Sequence, residues 1–175
     1  MQKIDFTETI NEKPSYFIYK IWEGFFREEI PRCEYYFHLF SDAYREQFGK
    51  DWDEMEDNVR IDCAKYHTIR RKLGTLQEDS EVVLVVNKGK FNEFIFTPTL
   101  FVHSIQQIYI IDEDEPEGFG FTVNIDGYIK TEAQIEQLAL NDGFESLEAF
   151  KTYFKSKMIN GSYEGKIIHW TKLKY

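Results

Sequence analysis

A chain of 175 residues is long enough to bury one substantial core and too short for several ordinary domains, so a single domain is expected. Its 42% hydrophobic and 17% aromatic content excludes a disordered tail or linker, because ring burial on that scale offsets chain entropy. A formal net charge of −10 excludes adhesion to nucleic acid by bulk charge, so any such ligand has to be met by a local basic surface.

The opening stretch MQKIDFTETINEKPS lacks the apolar core of a signal peptide, and no later apolar run approaches membrane-spanning length. A cytoplasmic protein with no membrane partner is expected. Cys33 and Cys63 have no CxxC or finger spacing and read as free thiols of a reducing compartment.

Residues 1–13 are polar and read as loop. From Pro14 the pattern changes, and Phe17, Ile18, Ile21, Trp22 and Phe25 recur at helical spacing, with Gly24 near the helix end. Further helix follows, broken at Pro31 and Gly49, with Tyr36, Phe40 and Tyr44 on one face and Trp52, Met55 and Val59 on another. The acids Asp51, Asp53, Glu54, Glu56 and Asp57 form a solvated first turn of the second piece.

Beyond Lys72 the period becomes strand-like. Val82–Val86 is a buried strand closed by the turn Asn87-Lys88-Gly89, with Phe91–Thr97 as its partner. Leu100–Ile111 is a long strand, Asp112–Gly118 an acidic turn, and Phe119–Ile125 the returning strand. Thr131-Glu132-Ala133-Gln134 has the form of a capping box, and Ile135, Leu138 and Ala139 follow on one face before Asn141-Asp142-Gly143 stops the helix. A second late helix starts near Ser146, with Leu147, Phe150 and Phe154 inward, and Gly165–Tyr175 alternates as a closing strand. A strand-rich middle with two late helices predicts an α+β domain on a small curved sheet or barrel.

The stretch Lys65-Tyr66-His67-Thr68-Ile69-Arg70-Arg71-Lys72 is a local basic cluster in an acidic chain and a candidate anion site. With it, three phrases resemble the ASCH family of PUA-like β-barrel domains. Tyr19-Lys20-Ile21-Trp22-Glu23-Gly24 is similar to that family's helix end, Lys65-Tyr66-His67-Thr68-Ile69-Arg70 to its Lys-x-x-Thr-x-Arg segment, and Asn141–Phe150 to its late helix entry. His67-Thr68-Ile69-Arg70 together with the terminal GKIIHWTKLKY is similar to an ASCH-like subgroup found in Bacteroidetes and their phages. In compact members the Gly and Lys are neighbours in sequence; here residues 25–64 separate them and read as a helical insertion at the mouth of the site.

The resemblance implies a PUA-like barrel with flanking helices and a pocket suited to RNA or a modified nucleoside. It also implies a rival activity, amidohydrolysis of N4-acetylcytidine-type nucleosides by a Lys, a Thr three residues on and a carboxylate. Lys65 and Thr68 match by spacing; no Glu matches cleanly, and Asp142, near the comparable position before the late helix, is the candidate for the missing carboxylate.

Read from the residues alone, a strand would point Lys65, His67 and Ile69 one way and Tyr66, Thr68 and Arg70 the other. Lys65 reaches Thr68 only if the chain bends between them. Lys65, Tyr66, His67, Thr68, Arg70 and Lys72 are the candidate ligand contacts; Arg70 offers a planar donor fork for phosphate or a base edge, and Tyr66 a ring for stacking. Arg71 is expected to pair with an acid, and Trp170 to pack in the core. The four histidines are too dispersed for a metal centre by spacing, and no cofactor motif such as GxGxxG, a phosphate loop or GxSxG is present, so neither metal nor cofactor is expected. A third reading, a protein partner bound through the acidic insertion at residues 25–64, fits the net charge.

Overall fold

The computed structural model describes residues 1–10, 13–52, 64–113 and 120–175. They form a mixed α+β architecture of four helices and three sheets, none of which closes on itself among the described residues.

The first sheet is built on β5 (Glu81–Val86). Its run Val82–Val86 is buried throughout, as a central strand covered on both faces must be. β1 (Gln2–Phe6) pairs with it in parallel, Gln2 opposite Val82 and Phe6 opposite Val86. Residues 2–6 are therefore a strand rather than the expected loop: Ile4 and Phe6 alternate inward between Lys3 and Asp5, and the backbone is satisfied by a partner eighty positions away. A two-stranded ribbon, β2 (Thr9–Ile10) with β3 (Lys13–Pro14), follows.

Helix α1 (Phe17–Arg27) runs straight through Gly24, and α2 (Cys33–Phe48) ends at Gly49, which takes the left-handed conformation at φ 69°. Gly24 does not end its helix; it is where α1 touches the chain at Lys65. A Cβ at Gly24 would lie 2.7 Å from the Lys65 carbonyl oxygen. The chain thus leaves and returns at one point around residues 25–64, whose Phe25, Tyr44 and Trp52 join the core against Trp22 and Phe94. Within that segment the expected second acidic helix, with Met55 and Val59, and the second cysteine, Cys63, lie outside the described residues. Cys33 is a buried free thiol that burial pushes up to about 11.

β4 (His67–Arg70) belongs to the second sheet. The expected partner strand over 91–97 shrinks to β6 (Phe94–Ile95), because turn hydrogen bonds from Lys90 to Asn87 and from Glu93 to Lys90 occupy the preceding residues. The expected long strand from Leu100 divides into β7 (Leu100–Phe101) and β8 (Ser104–Glu113). Between them the Val102 amide bonds to Ser80 and the His103 amide to His169, carrying the chain from the first sheet to the second. β9 (Gly120–Ile125) and β10 (Tyr128–Ile129) return antiparallel, and β11 (Ser162–His169) inserts between β8 and β4. The closing strand therefore spans Ser162–His169 and ends before Tyr175.

α3 (Glu132–Asn141) opens on the capping box, with the Thr131 side chain accepting from the Gln134 amide and Gln134 from the Thr131 amide. It ends at Gly143, whose φ of 82° is easily reached only without a Cβ. α4 (Leu147–Lys155) is capped by Ser146. Ile135, Leu138, Phe150 and Phe154 from these helices pack on Ile108, Ile110, Val123 and Ile167 to make a second core. Trp170 is buried in the first core, edge-on to Phe6. β4 runs between the two clusters, and the candidate site lies there. No helix among the described residues is long and apolar enough to cross a membrane.

Candidate functional site

The segment leading into β4 does not follow strand alternation. The Lys65 amide donates to the Lys20 carbonyl of α1 and the Tyr66 amide to the Asn141 carbonyl at the end of α3, so the chain is pinched between two helices before the strand begins. Lys65 makes an isolated bridge with Asp142, and regular pairing with β11 begins only at His67. This break puts Lys65 on the same side as Thr68 and Arg70.

Lys65, Thr68, Arg70 and Asp142 then line one cleft of about 270 Å³. Its walls include Phe6, Phe17, Phe144 and Tyr153, with Lys157 at the lip. None of its described lining residues comes from 25–64, so the segment read as an insertion borders the core rather than the cleft.

Lys65 and Asp142 form a buried ion pair, with side chains 2% and 6% exposed. The ammonium bonds to Asp142 Oδ1 and, at 2.6 Å, to the Asp142 carbonyl oxygen. Its third proton is left for the cleft, where the Phe17 ring face lies 4.9 Å from Nζ. Burial pulls the Lys65 ammonium down to about 8, against the opposing pull of Asp142 and with help from Arg70 and Lys20. Burial alone would raise the Asp142 carboxyl, but Lys65 and His67 outweigh it and hold the acid below its ordinary range. The pair is ionised at neutral pH, with a lysine close to losing its proton.

His67 lies behind Asp142 and does not line the cleft. Its ring is fully buried, and burial lowers its pKa so that it stays neutral. Nε2 meets the Tyr175 hydroxyl at 2.6 Å, and that hydroxyl also accepts from Asn141 Nδ2 at 3.0 Å. Asn141 Nδ2 can only donate, so among the described residues Nε2 is the one acceptor for the Tyr175 hydroxyl proton, which leaves the His67 proton on Nδ1 facing Asp142 Oδ1 at 3.4 Å. At that length the contact is electrostatic rather than a formed hydrogen bond, and Nδ1 has no other partner among the described residues. His169 packs 5.3 Å from the His67 ring, and burial together with His67 pushes it down to about 3.

The remaining candidates separate. Tyr66 turns toward Gly24 of α1 and outside the cleft. Lys72 lies in an adjoining groove, because β4 has ended by then. Arg70 stacks over Phe6 at 5.1 Å and bonds to the Asp5 carbonyl. Arg71 donates to the Lys157 carbonyl at 2.6 Å and lies over Tyr163, where an acidic partner was expected. The Thr68 hydroxyl is in the cleft with no hydrogen bond among the described residues.

Lys20 and Tyr175 are the contributors that spacing did not single out. Lys20 is 5% exposed and reaches the Gly143 carbonyl at 2.7 Å, fixing the turn that carries Asp142. It had a signal: with Ile21 and Gly24 it sits on the buried stripe of α1, an unusual place for an ammonium. Tyr175 had none, since its partners Gln106, Asn141 and His67 are all distant in sequence.

No protein-family model matches the chain, and no curated protein and no solved structure matches it either.

Proposed function

We propose that the cleft recognises a modified nucleobase or nucleoside, as the binding site of an ASCH-like, PUA-like domain. The observation that carries this reading is the buried Lys65–Asp142 pair beside Thr68 and Arg70 in one aromatic-walled cleft. A base needs flat apolar walls and an adjoining donor and acceptor, and Phe6, Phe17, Phe144 and Tyr153 with Lys65 and Asp142 supply both. A volume near 270 Å³ suits one nucleoside and little more. The contact of Gly24 with Lys65 across residues 25–64 supports the family reading, since that pair is adjacent in compact members. So does the return of β11 beside β4 after the two late helices.

A second reading, hydrolysis of an N-acyl amide on the base, is favoured by Lys65 losing its proton near pH 8 beside an uncommitted Thr68 hydroxyl. In that reaction neutral Lys65 accepts the Thr68 proton as Oγ1 adds to the acyl carbonyl. Lys65 returns the proton to the departing amine, and water then hydrolyses the threonyl ester. Asp142 holds Lys65 in place throughout.

The test is a calorimetric titration of N4-acetylcytidine, with chromatography of the same mixtures, on the natural chain, Lys65→Met and Thr68→Val. Binding lost in Lys65→Met with no product from any chain supports recognition. Product from the natural chain alone supports hydrolysis, and its rate then rises with pH through about 8 as Lys65 is freed of its proton. Heat and product both absent for cytidine, N4-acetylcytidine and the other ribonucleosides would sink both readings.

A further inference from the structure

The Lys65 nitrogen has a lone pair to offer as well as a charge. Its two side-chain hydrogen bonds among the described residues both go to Asp142, one to Oδ1 and one, of 2.6 Å, to the carbonyl oxygen. The remaining direction at Nζ opens on the cleft, beside the ring of Phe17 at 4.9 Å and that of Phe6 at 6.0 Å. Burial and the charges of Arg70 and Lys20 favour the neutral amine, the form in which a lysine is a nucleophile. With Lys65 lowered to about 8, roughly a tenth of it is free of its proton at pH 7, against about 0.03% of an ordinary exposed lysine.

Arg70 lines the same cleft. Its guanidinium is fixed by the Asp5 backbone carbonyl and by the Phe6 ring at 5.1 Å, and no carboxylate pairs with it among the described residues. The described lining as a whole sets Lys65, Arg70 and Lys157 against one acid, Asp142. Since Asp142 is committed to Lys65, the Arg70 end of the cleft suits an acidic group on whatever enters.

We infer that Lys65 captures a small carbonyl compound bearing a carboxylate, of the 2-oxo acid class, as a protonated imine, with Asp142 as proton carrier and counter-ion and Arg70 as the seat of the carboxylate. The carbonyls of a nucleobase are amide-like and form no imine, so this is an activity beyond nucleoside recognition and independent of it, although both use one cleft.

The protons balance within the Lys65–Asp142 pair. The ammonium passes one proton to Asp142 Oδ1, and the amine lone pair then forms the bond from Nζ to the carbonyl carbon as the carbonyl π pair moves to oxygen. A second proton shifts from nitrogen to that oxygen, giving a neutral carbinolamine. Asp142 returns the first proton to the hydroxyl, the C–O bond breaks, and water leaves. Of the three ammonium protons two depart in the water and one stays on the imine nitrogen. The positive charge therefore ends beside Asp142, where it began, and the aromatic faces of Phe6 and Phe17 serve the iminium as they serve the ammonium.

The experiment is incubation of the full chain with glyoxylate, an aldehyde that carries a carboxylate, and sodium cyanoborohydride, which reduces an imine to a stable secondary amine. Mass spectrometry of proteolytic peptides then locates the carboxymethyl groups. Lys65 is expected to be labelled at pH 7 about tenfold or more faster than the exposed Lys13 and Lys72, after allowance for the weaker nucleophilicity of a less basic amine. Its rate should rise with pH and level off above about 8, while the exposed lysines continue to gain. With acetaldehyde the preference for Lys65 over Lys13 should shrink, and in Arg70→Gln, checked for fold by circular dichroism, the two aldehydes should show the same preference. Lys65 labelled no faster than Lys13 in the natural chain overturns the inference, and that result needs no variant. An equal preference for Lys65 with both aldehydes in the natural chain overturns the assignment of the carboxylate to Arg70. Excess N4-acetylcytidine separates the two activities of the cleft. Selective labelling that it slows supports both, whereas selective labelling that it leaves unchanged supports imine capture and counts against a nucleoside at Lys65. Loss of selectivity alongside calorimetric binding of the nucleoside overturns imine capture alone.

Discussion

Replacing Asp142 with Asn removes the countercharge of a fully buried ammonium while keeping nearly the same shape. Lys65 is 2% exposed and has its two hydrogen bonds on Asp142. Breaking one half of such a pair costs about 3–5 kcal/mol of stability, because the remaining charge is stranded. Lysine has an escape, which is to fold without its proton. At pH 7 that costs about 5 kcal/mol, from the distance between pH 7 and its ordinary pKa. The sign follows from proton counts. The natural Lys65 is lowered to about 8, so between roughly pH 8 and pH 10.5 the unfolded chain binds more protons than the folded one, and stability rises with pH across that window. In Asp142→Asn the carboxylate that raises the folded lysine's pKa is gone, so the lysine loses its proton at lower pH and the rise begins lower. From pH 7 to pH 10 this residue contributes a gain of about 2–3 kcal/mol to the natural chain and about 4 kcal/mol to the variant. Urea unfolding followed by the fluorescence of buried Trp22 and Trp170 measures both. The deficit of the variant should be largest at neutral pH and shrink by about 1 kcal/mol by pH 10. A variant as stable as the natural chain at pH 7, or a deficit that widens with pH, would refute the buried ion pair.

Other perturbations test the surrounding geometry. Gly24→Ala should gain about 1 kcal/mol of helix propensity, yet its Cβ meets the Lys65 carbonyl at 2.7 Å, so net destabilisation by about 1–3 kcal/mol and a lower thermal midpoint are expected. A stabilised Gly24→Ala would show that α1 and Lys65 are not in contact. Tyr175→Phe removes the donor to His67 Nε2, so nitrogen NMR should report a neutral Nδ1–H ring in the natural chain and a mixture with the other tautomer in the variant. An Nε2–H ring in the natural chain would contradict the hydrogen-bond order from Asn141 through Tyr175. Thr131→Ala should lose about 1 kcal/mol through the capping box of α3, read as a drop in urea midpoint with unchanged m-value, and should leave ligand affinity intact.

Parts of this are legible in the sequence. The capping box at Thr131, the stop at Gly143 and the inward faces of α3 and α4 are local matters, decided within one or two helical turns, and spacing exposes them. Lys65, Thr68 and Asp142 were legible as residue types at suggestive positions. Their meeting was not, because alternation sends Lys65 and Thr68 to opposite faces until the hydrogen bonds to Lys20 and Asn141 bend the chain at Tyr66. β1 was missed because Ile4 and Phe6 give only a brief alternation among polar neighbours, and the strand exists through its pairing with β5. The strand expected from Leu100 was read as one because its apolar pattern hardly changes where it passes from one sheet to the other, at Val102 and His103. Tyr175 and Lys157 enter the site region from distant parts of the chain and leave no mark on the residues they serve.

The account stands or falls on whether a base enters the cleft between Lys65 and Phe17. The direct measurement is titration of N4-acetylcytidine into isotopically labelled protein, followed by amide and side-chain chemical shifts. The account predicts that the largest changes fall on Lys65, Thr68, Arg70, Asp142, Gly143 and Phe144 and vanish in Lys65→Met. Changes confined to α2 and the rest of residues 25–64, or spread over the surface without saturation, would contradict it.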